Sequence, residues 1–289
     1  MLYKSAPFDF TRQALVFVHI PKTGGNSLAD TLFDHLGHEK CLLCMMMGMD
    51  KVGKIQPSRV RKVAWTARQA IRKAAMWARG GDPRLAKFYS KAELEQMVFF
   101  EGHFALGEEP RNSRKPVYIT LVRDPVDRFL SNYYMAHDQR ARWSEGKQDR
   151  HPFWTYDIDR FVDYVYARRK WNDTNMQCRF IGGANRFEPA RRAVDDRVFL
   201  AAPTDRLDDC LELLQPVLGL QSTVAPQWNV GQARQGRAPP SPETRAKIQE
   251  MTSEDQLLYD YVSRVFDDLY REVTGSGAAP EARRGARAS

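Results

Sequence analysis

The chain has 289 residues, of which 43% are hydrophobic and 28% charged, and its 44 Lys+Arg against 36 Asp+Glu set a formal charge of +8. Such a composition supports a sizeable core and excludes disordered, collagen-like, low-complexity and coiled-coil chains. No stretch of about 20 consecutive apolar residues offers a membrane span, and four cysteines (Cys41, Cys44, Cys178, Cys210) in a chain of this length make no disulfide framework.

The N-terminal MLYKSAPFDFTRQALVFVHI has no clear signal peptide, because Asp9 and Arg12 interrupt its apolar run and no small-residue cleavage site follows. A cytoplasmic protein is the expectation. The first strong element is LVFVHI, Leu15 to Ile20, an apolar β-branched run that reads as a strand. PKTGGNS follows at once and then SLADTLFDHL, whose apolar positions repeat at helical spacing, so the order is strand, glycine loop, helix. Residues 51–91 differ from everything around them. Twelve cations and one acid, Asp82, leave this stretch at +11 and the remainder of the chain at −3. VRKVAWTARQAIRKAAMWA within it has the pattern of a basic amphipathic helix.

A third apolar run, MVFFEGHFALG, starts at Met97, and a second strand-loop-helix unit starts at Val117 with VYITLV followed by RDPVDRFLSNYYMA. There Asp124 suits the helix N-cap and Pro125 its first turn. Further along, 161–169 reads as a helix and 198–201 as a short strand; Thr204 is placed to cap a helix through LDDCLELL. Ser241-Pro242-Glu243 opens another helix. Ser253 with Gln256 resembles a capping box before the amphipathic DQLLYDYVSRVFDDLY. Strands alternating with helices imply an α/β fold, a central mainly parallel sheet flanked by helices, with ligand loops at the strand C-termini. One domain is expected over 1–274, carrying the basic insert at about 51–91, with a flexible tail over 275–289.

His19-Ile20-Pro21-Lys22-Thr23-Gly24-Gly25-Asn26-Ser27 is suited to an anion. Glycines let main-chain N–H groups turn into the loop, and the following helix N-terminus adds partial positive charge. It is not a Walker A sequence, because Lys22 precedes both glycines and Ser27 comes two residues after the last.

HIPKTGGNS, GHF and LVRDPVDRFLSNYY, in that order, resemble the three signatures of sulfotransferases that use 3′-phosphoadenosine 5′-phosphosulfate (PAPS), in particular the carbohydrate branch that includes heparan sulfate 2-O-sulfotransferases and bacterial relatives. NMQCRFIGG, FLAAPTDRLDDCLELL and the last helix are also similar, so the likeness runs from about Leu15 to about Tyr270, with 51–91 unmatched. The resemblance implies a P-loop-like sulfotransferase fold and a PAPS-dependent enzyme that sulfates a hydroxyl of a carbohydrate or glycolipid. It implies that Lys22, with the Thr23, Gly24, Gly25, Asn26 and Ser27 backbone, holds the 5′-phosphosulfate and the leaving oxygen. Arg123 and Ser131 would take the 3′-phosphate, and His103 would be the base. Glu101 competes for that last role, since some relatives use a glutamate. No metal is required by this chemistry.

Three alternatives remain on the sequence. The same strand, loop and helix would serve a nucleotide kinase or NTPase, and a non-enzymatic reading is a binder of acidic glycans or membrane surfaces. His35, His38, Cys41 and Cys44 recur every third residue and CxxC is a zinc-type spacing, but Gly37 interrupts the run and no second CxxC follows. The cations of 51–91 fit a solvated face, an anionic glycan, or an acidic membrane surface approached through Trp65, Met76 and Trp77, which would make the protein peripheral. Nucleic acid is the weaker partner, as no recognised binding motif accompanies the segment. Acceptor contacts are expected from this insert and from 137–157, which carries Arg140, Arg142, Trp143, His151 and Trp154.

Overall fold

Apolar residues alternate along each strand, and this alternation divides the core into two layers. A computed structural model describes residues 1–44, 91–110, 112–140, 156–168, 174–224 and 239–275. Five strands, β1 (Gln13–Val18), β2 (Cys41–Cys44), β3 (Phe99–Gly102), β4 (Lys115–Val122) and β5 (Val198–Pro203), pair in the order β2-β3-β1-β4-β5, every neighbour parallel. Ala14, Val16 and Val18 of β1 face one layer with Phe100, Val122 and Ala201. Leu15 and Phe17 face the other with Phe99, Ile119, Leu121 and Leu200.

Helices cover both faces. On the Val16 side lie α5 (Met176–Gly182), α6 (Phe187–Asp196) and the first half of α9 (Ser253–Thr274), through Cys178, Ile181, Ala190, Val194, Leu258 and Val262. On the Phe17 side lie α1 (Gly25–Leu36) and α7 (Leu207–Leu218), joined by Phe266 and Tyr270 from the second half of α9. Helix α2 (Lys91–Gln96) leads into β3. A third apolar cluster joins α3 (Pro125–Arg140), α4 (Ile158–Arg168) and α8 (Pro242–Met251) around Phe129, Tyr133, Phe161 and Ile248.

The α/β reading and the parallel sheet hold, and most predicted elements form within a few residues of their expected bounds. The first strand ends at Val18, two residues early, as His19 and Ile20 lead into Pro21. Asp124 caps α3 by accepting from Asp127 N–H at 2.8 Å, and Ser241 caps α8 by accepting from Thr244 N–H at 3.1 Å. Two cap assignments are corrected. Thr204 begins a single turn of 3₁₀ helix ahead of α7 and its hydroxyl bonds elsewhere, as described below. The Ser253–Gln256 box does not form. Ser253 is already inside α9, Thr252 precedes it without a side-chain cap, and Gln256 Nε2 donates to Asp260. Gly275, in the left-handed conformation at φ 66°, closes α9. The basic segment 51–90, residues 141–155 of the expected acceptor stretch and 276–289 lie outside the described residues.

β1 is central, and the chain leaves it for β2 and β3 on one side and for β4 and β5 on the other. Val18 stands level with Gly102 of β3 and with Thr120 of β4. The three segments that carry the chemistry-bearing motifs therefore end side by side at the C-terminal edge, at the point where strand order reverses, which is where open parallel sheets bind ligands.

Candidate active site

The loop after β1 is built for a close approach of backbone to anion. Lys22 has φ 71° and Gly24 φ 75°, both left-handed. Gly24 suits that conformation, while at Lys22 it is strained and marks the loop as functionally constrained. Helix α1 then starts at Gly25 with no acidic residue in its first turn and no side-chain cap, so its N-terminal N–H groups and positive dipole end face the loop. A Cβ on Gly25 would lie 2.4 Å from His19 Cδ2, and one on Gly24 2.7 Å from Thr204 Cγ2. Both glycines are thus required by packing. Gly24 and Asn26 are exposed, whereas Thr23 and Ser27 are buried, the Thr23 hydroxyl donating to the Ile20 carbonyl at 2.9 Å.

Arg123 sits just past β4, and its guanidinium reaches across to donate to the Lys22 carbonyl at 3.2 Å. The side chain of Lys22 runs past this point to bring Nζ 3.4 Å from Met135 Sδ on α3. Burial first, and then the Arg123 charge, pull the Lys22 pKa down from 10.5. An anion at this loop would offset both causes by favouring the charged amine. Ser131, two turns into α3, is half-buried. The structure brings Lys22 and Arg123 into contact and places Ser131 on the helix that carries Met135.

On the other flank of β1 stands His103. Its Nδ1–H donates to the main-chain carbonyl of His19 at 2.6 Å, because a carbonyl only accepts. Neutral His103 therefore keeps its lone pair on Nε2. Burial is the main cause that lowers its pKa from 6.5, followed by the His19 ring, 4.6 Å away centroid to centroid, while Glu101 acts in the opposite sense. Glu101 is 2% exposed, with Oε1 2.5 Å from His19 Nδ1 and Oε2 without a partner. Its Oε1 is turned inward to His19. His19 is itself buried and stacked on Phe17 at 5.1 Å.

Three residues were given no part in this site by the sequence. The Thr204 hydroxyl lies 2.6 Å from the Thr23 carbonyl and 3.0 Å from that of Val122, tying the two loops together from the end of β5. Gln177, fully buried, accepts from Arg123 N–H at 2.8 Å and donates to the Arg123 carbonyl at 2.9 Å. His19 stood within the recognised motif, but only the pairing of Val18 with Gly102 sets it beside residues 101–103. Of the histidine–cysteine run, His35 bonds the Leu218 carbonyl at 2.9 Å, and the Cys41 thiol, pushed up to about 12 mainly by burial, donates to Gly37 O. Both have structural partners.

A cavity of about 860 Å³ lined by Tyr3, Phe8, Lys115 and Phe199 opens at the opposite, N-terminal end of the strands, away from all of these groups. Among the described residues, no helix is long and apolar enough to cross a membrane, and no group of three metal-ligating side chains converges.

Comparison with known proteins agrees with this geometry. The chain is 21% identical over 198 residues to a heparan sulfate 2-O-sulfotransferase of Caenorhabditis elegans, an alignment that covers 61% of each protein. The profile described as "Sulfotransferase family" matches residues 8–181, which takes in β1 to β4, the glycine loop, His103, Arg123 and Gln177. The chain belongs to the sulfotransferase family.

Proposed function

We propose that the chain transfers a sulfuryl group from PAPS to a hydroxyl of a carbohydrate acceptor, with His103 as base and Lys22 at the leaving oxygen. The observation that carries this reading is the fixed tautomer of His103, whose free Nε2 belongs to a ring one strand away from the Lys22 loop. The carbohydrate class is supported by the nematode relative, whose name specifies heparan sulfate.

PAPS, when bound, supplies an activated sulfuryl group and a phosphate leaving group. His103 Nε2 takes the acceptor's O–H proton as that oxygen forms its bond to sulfur. The bond from sulfur to the bridging oxygen breaks, and negative charge collects on that oxygen. Lys22 and the first-turn N–H groups of α1 stabilise this charge, as preorganised donors do in phosphoryl transfer. Arg123, with Ser131 on α3, would hold the 3′-phosphate. His103 ends as an imidazolium that still donates Nδ1–H to the His19 carbonyl and has the Glu101 carboxylate nearby as counter-charge.

Incubation with labelled PAPS and a panel of polysaccharides, glycolipids and phenols tests the reading directly. Label is expected on a carbohydrate hydroxyl. Metal-dependent ATP turnover without sulfate transfer would return the nucleotide kinase, and salt-sensitive binding to acidic glycans without transfer would return the non-enzymatic binder.

A further inference from the structure

We propose that Gln177 is a positioning residue that sets how Arg123 recognises the donor's 3′-phosphate. The inference rests on the reading above that Arg123 binds that phosphate. Arg123 lies one residue beyond the end of β4, where Gln177 pairs with its peptide groups. Its carboxamide accepts from Arg123 N–H at 2.8 Å and donates to Arg123 C=O at 2.9 Å, a two-point pairing that needs one acceptor and one donor on the same rigid group. Asparagine is too short to repeat it, and glutamate lacks the donor when ionised.

Gln177 is in turn held from behind. The fully buried Asp255 accepts from the N–H groups of Gln177 and Cys178 at 3.1 and 2.8 Å, and its own N–H donates to Asn175 Oδ1 at 3.0 Å. A continuous path thus runs from α9 through Asp255 and Gln177 to the Arg123 backbone, and from the Arg123 guanidinium to the Lys22 carbonyl. Gln177 bonds the Arg123 main chain and leaves the guanidinium for other partners. Its effect is the direction in which Arg123 leaves the sheet. Phosphate recognition through a forked guanidinium is sensitive to direction, so the selectivity between donors with and without a 3′-phosphate depends on this amide.

The test compares affinities for 3′-phosphoadenosine 5′-phosphate and for 5′-AMP in the wild type, Gln177→Leu, Arg123→Ala and the double variant. The wild type is expected to prefer the 3′-phosphate ligand. Gln177→Leu should lower that preference by about tenfold, the effect of losing paired hydrogen bonds, while 5′-AMP binds as before. On the Arg123→Ala background, Gln177→Leu should cause no further loss, since residues acting through one contact are not additive. In transfer assays the KM for PAPS should rise and that for the acceptor stay unchanged. Gln177→Glu, which keeps the shape and the acceptor oxygen, repeats the comparison if the leucine variant does not fold, with a loss of the same sign. Equal weakening of both nucleotides, or full additivity with Arg123→Ala, would show a merely structural role and overturn the inference. A wild type that binds the two nucleotides equally would overturn the PAPS reading and this inference with it, whereas normal wild-type preference with an unchanged ratio in Gln177→Leu sinks the role of Gln177 alone.

Discussion

A main-chain carbonyl, that of His19, decides which nitrogen of His103 is free to act. Replacing His103 or Lys22 by alanine is expected to cut transfer by about 10²- to 10⁴-fold, the usual worth of a positioned base or a charge-stabilising group. Both side chains are half-buried rather than core, so melting temperature should hardly move; a fully active His103→Ala would move the base elsewhere. The pH dependence follows from burial. With its pKa held below 6.5, His103 is neutral at pH 7 and becomes protonated only as pH falls through the lowered value, so the rate should be flat near neutrality and drop on the acid side. Glu101 raises that pKa, whereas His19 and Lys22 lower it. None of this was visible as a spacing in the sequence. Glu101 and His103 were legible as candidates on one strand face, but the neighbour each one meets was not: a ring for Glu101, a carbonyl for His103.

Where α1 begins matters as much as which residues it carries. Its first residue packs so closely on His19 that Gly25→Ala would force a Cβ to 2.4 Å from the ring. The imidazole or the helix start must then shift, at roughly 1–3 kcal/mol for an overpacked contact. Circular dichroism should show a folded protein of lower melting temperature, with transfer reduced at least about tenfold because the glycine loop and the His103 support move together. Thr204→Val tests the link from β5. It keeps the side-chain shape and removes the hydroxyl that holds the Thr23 and Val122 carbonyls. A loss of about 1–2 kcal/mol is expected, with weaker binding of 3′-phosphoadenosine 5′-phosphate; unchanged binding would mean the loops keep their spacing without it. From local pattern Thr204 reads as a helix cap, since a threonine before a helical run is ordinarily one. Here the hydroxyl has better acceptors from loops 181 and 82 positions away in the chain, which no local rule can weigh. Ser241 and Asp124, whose partners lie three residues on, were read correctly for the converse reason.

At the scale of the molecule, charge is unevenly distributed along the sequence: 51–91 holds +11 while the rest of the chain sums to −3. Replacing six of the insert's Lys and Arg residues by Gln should weaken salt-dependent binding to acidic polysaccharide and raise the acceptor KM. The thermal shift caused by 3′-phosphoadenosine 5′-phosphate should be retained; its loss together with acceptor binding would place the insert at the donor site. The family match ends at residue 181, yet Thr204 and Asp255, beyond it, brace the loops after β1 and β4, the latter through Gln177. By itself the sequence determined the α/β class, the glycine loop with its lysine, the second loop with Arg123 and the histidine of the GHF motif, because each is written in contiguous residues whose periodicity and turn chemistry act locally. Only the tertiary structure decided that β1 lies between β3 and β4, that His19 orients His103 while Glu101 turns inward, and that Thr204 and Gln177 hold the loops. Those facts depend on strand order, register and burial, which arise when distant segments compete for the same hydrogen bonds and the same core.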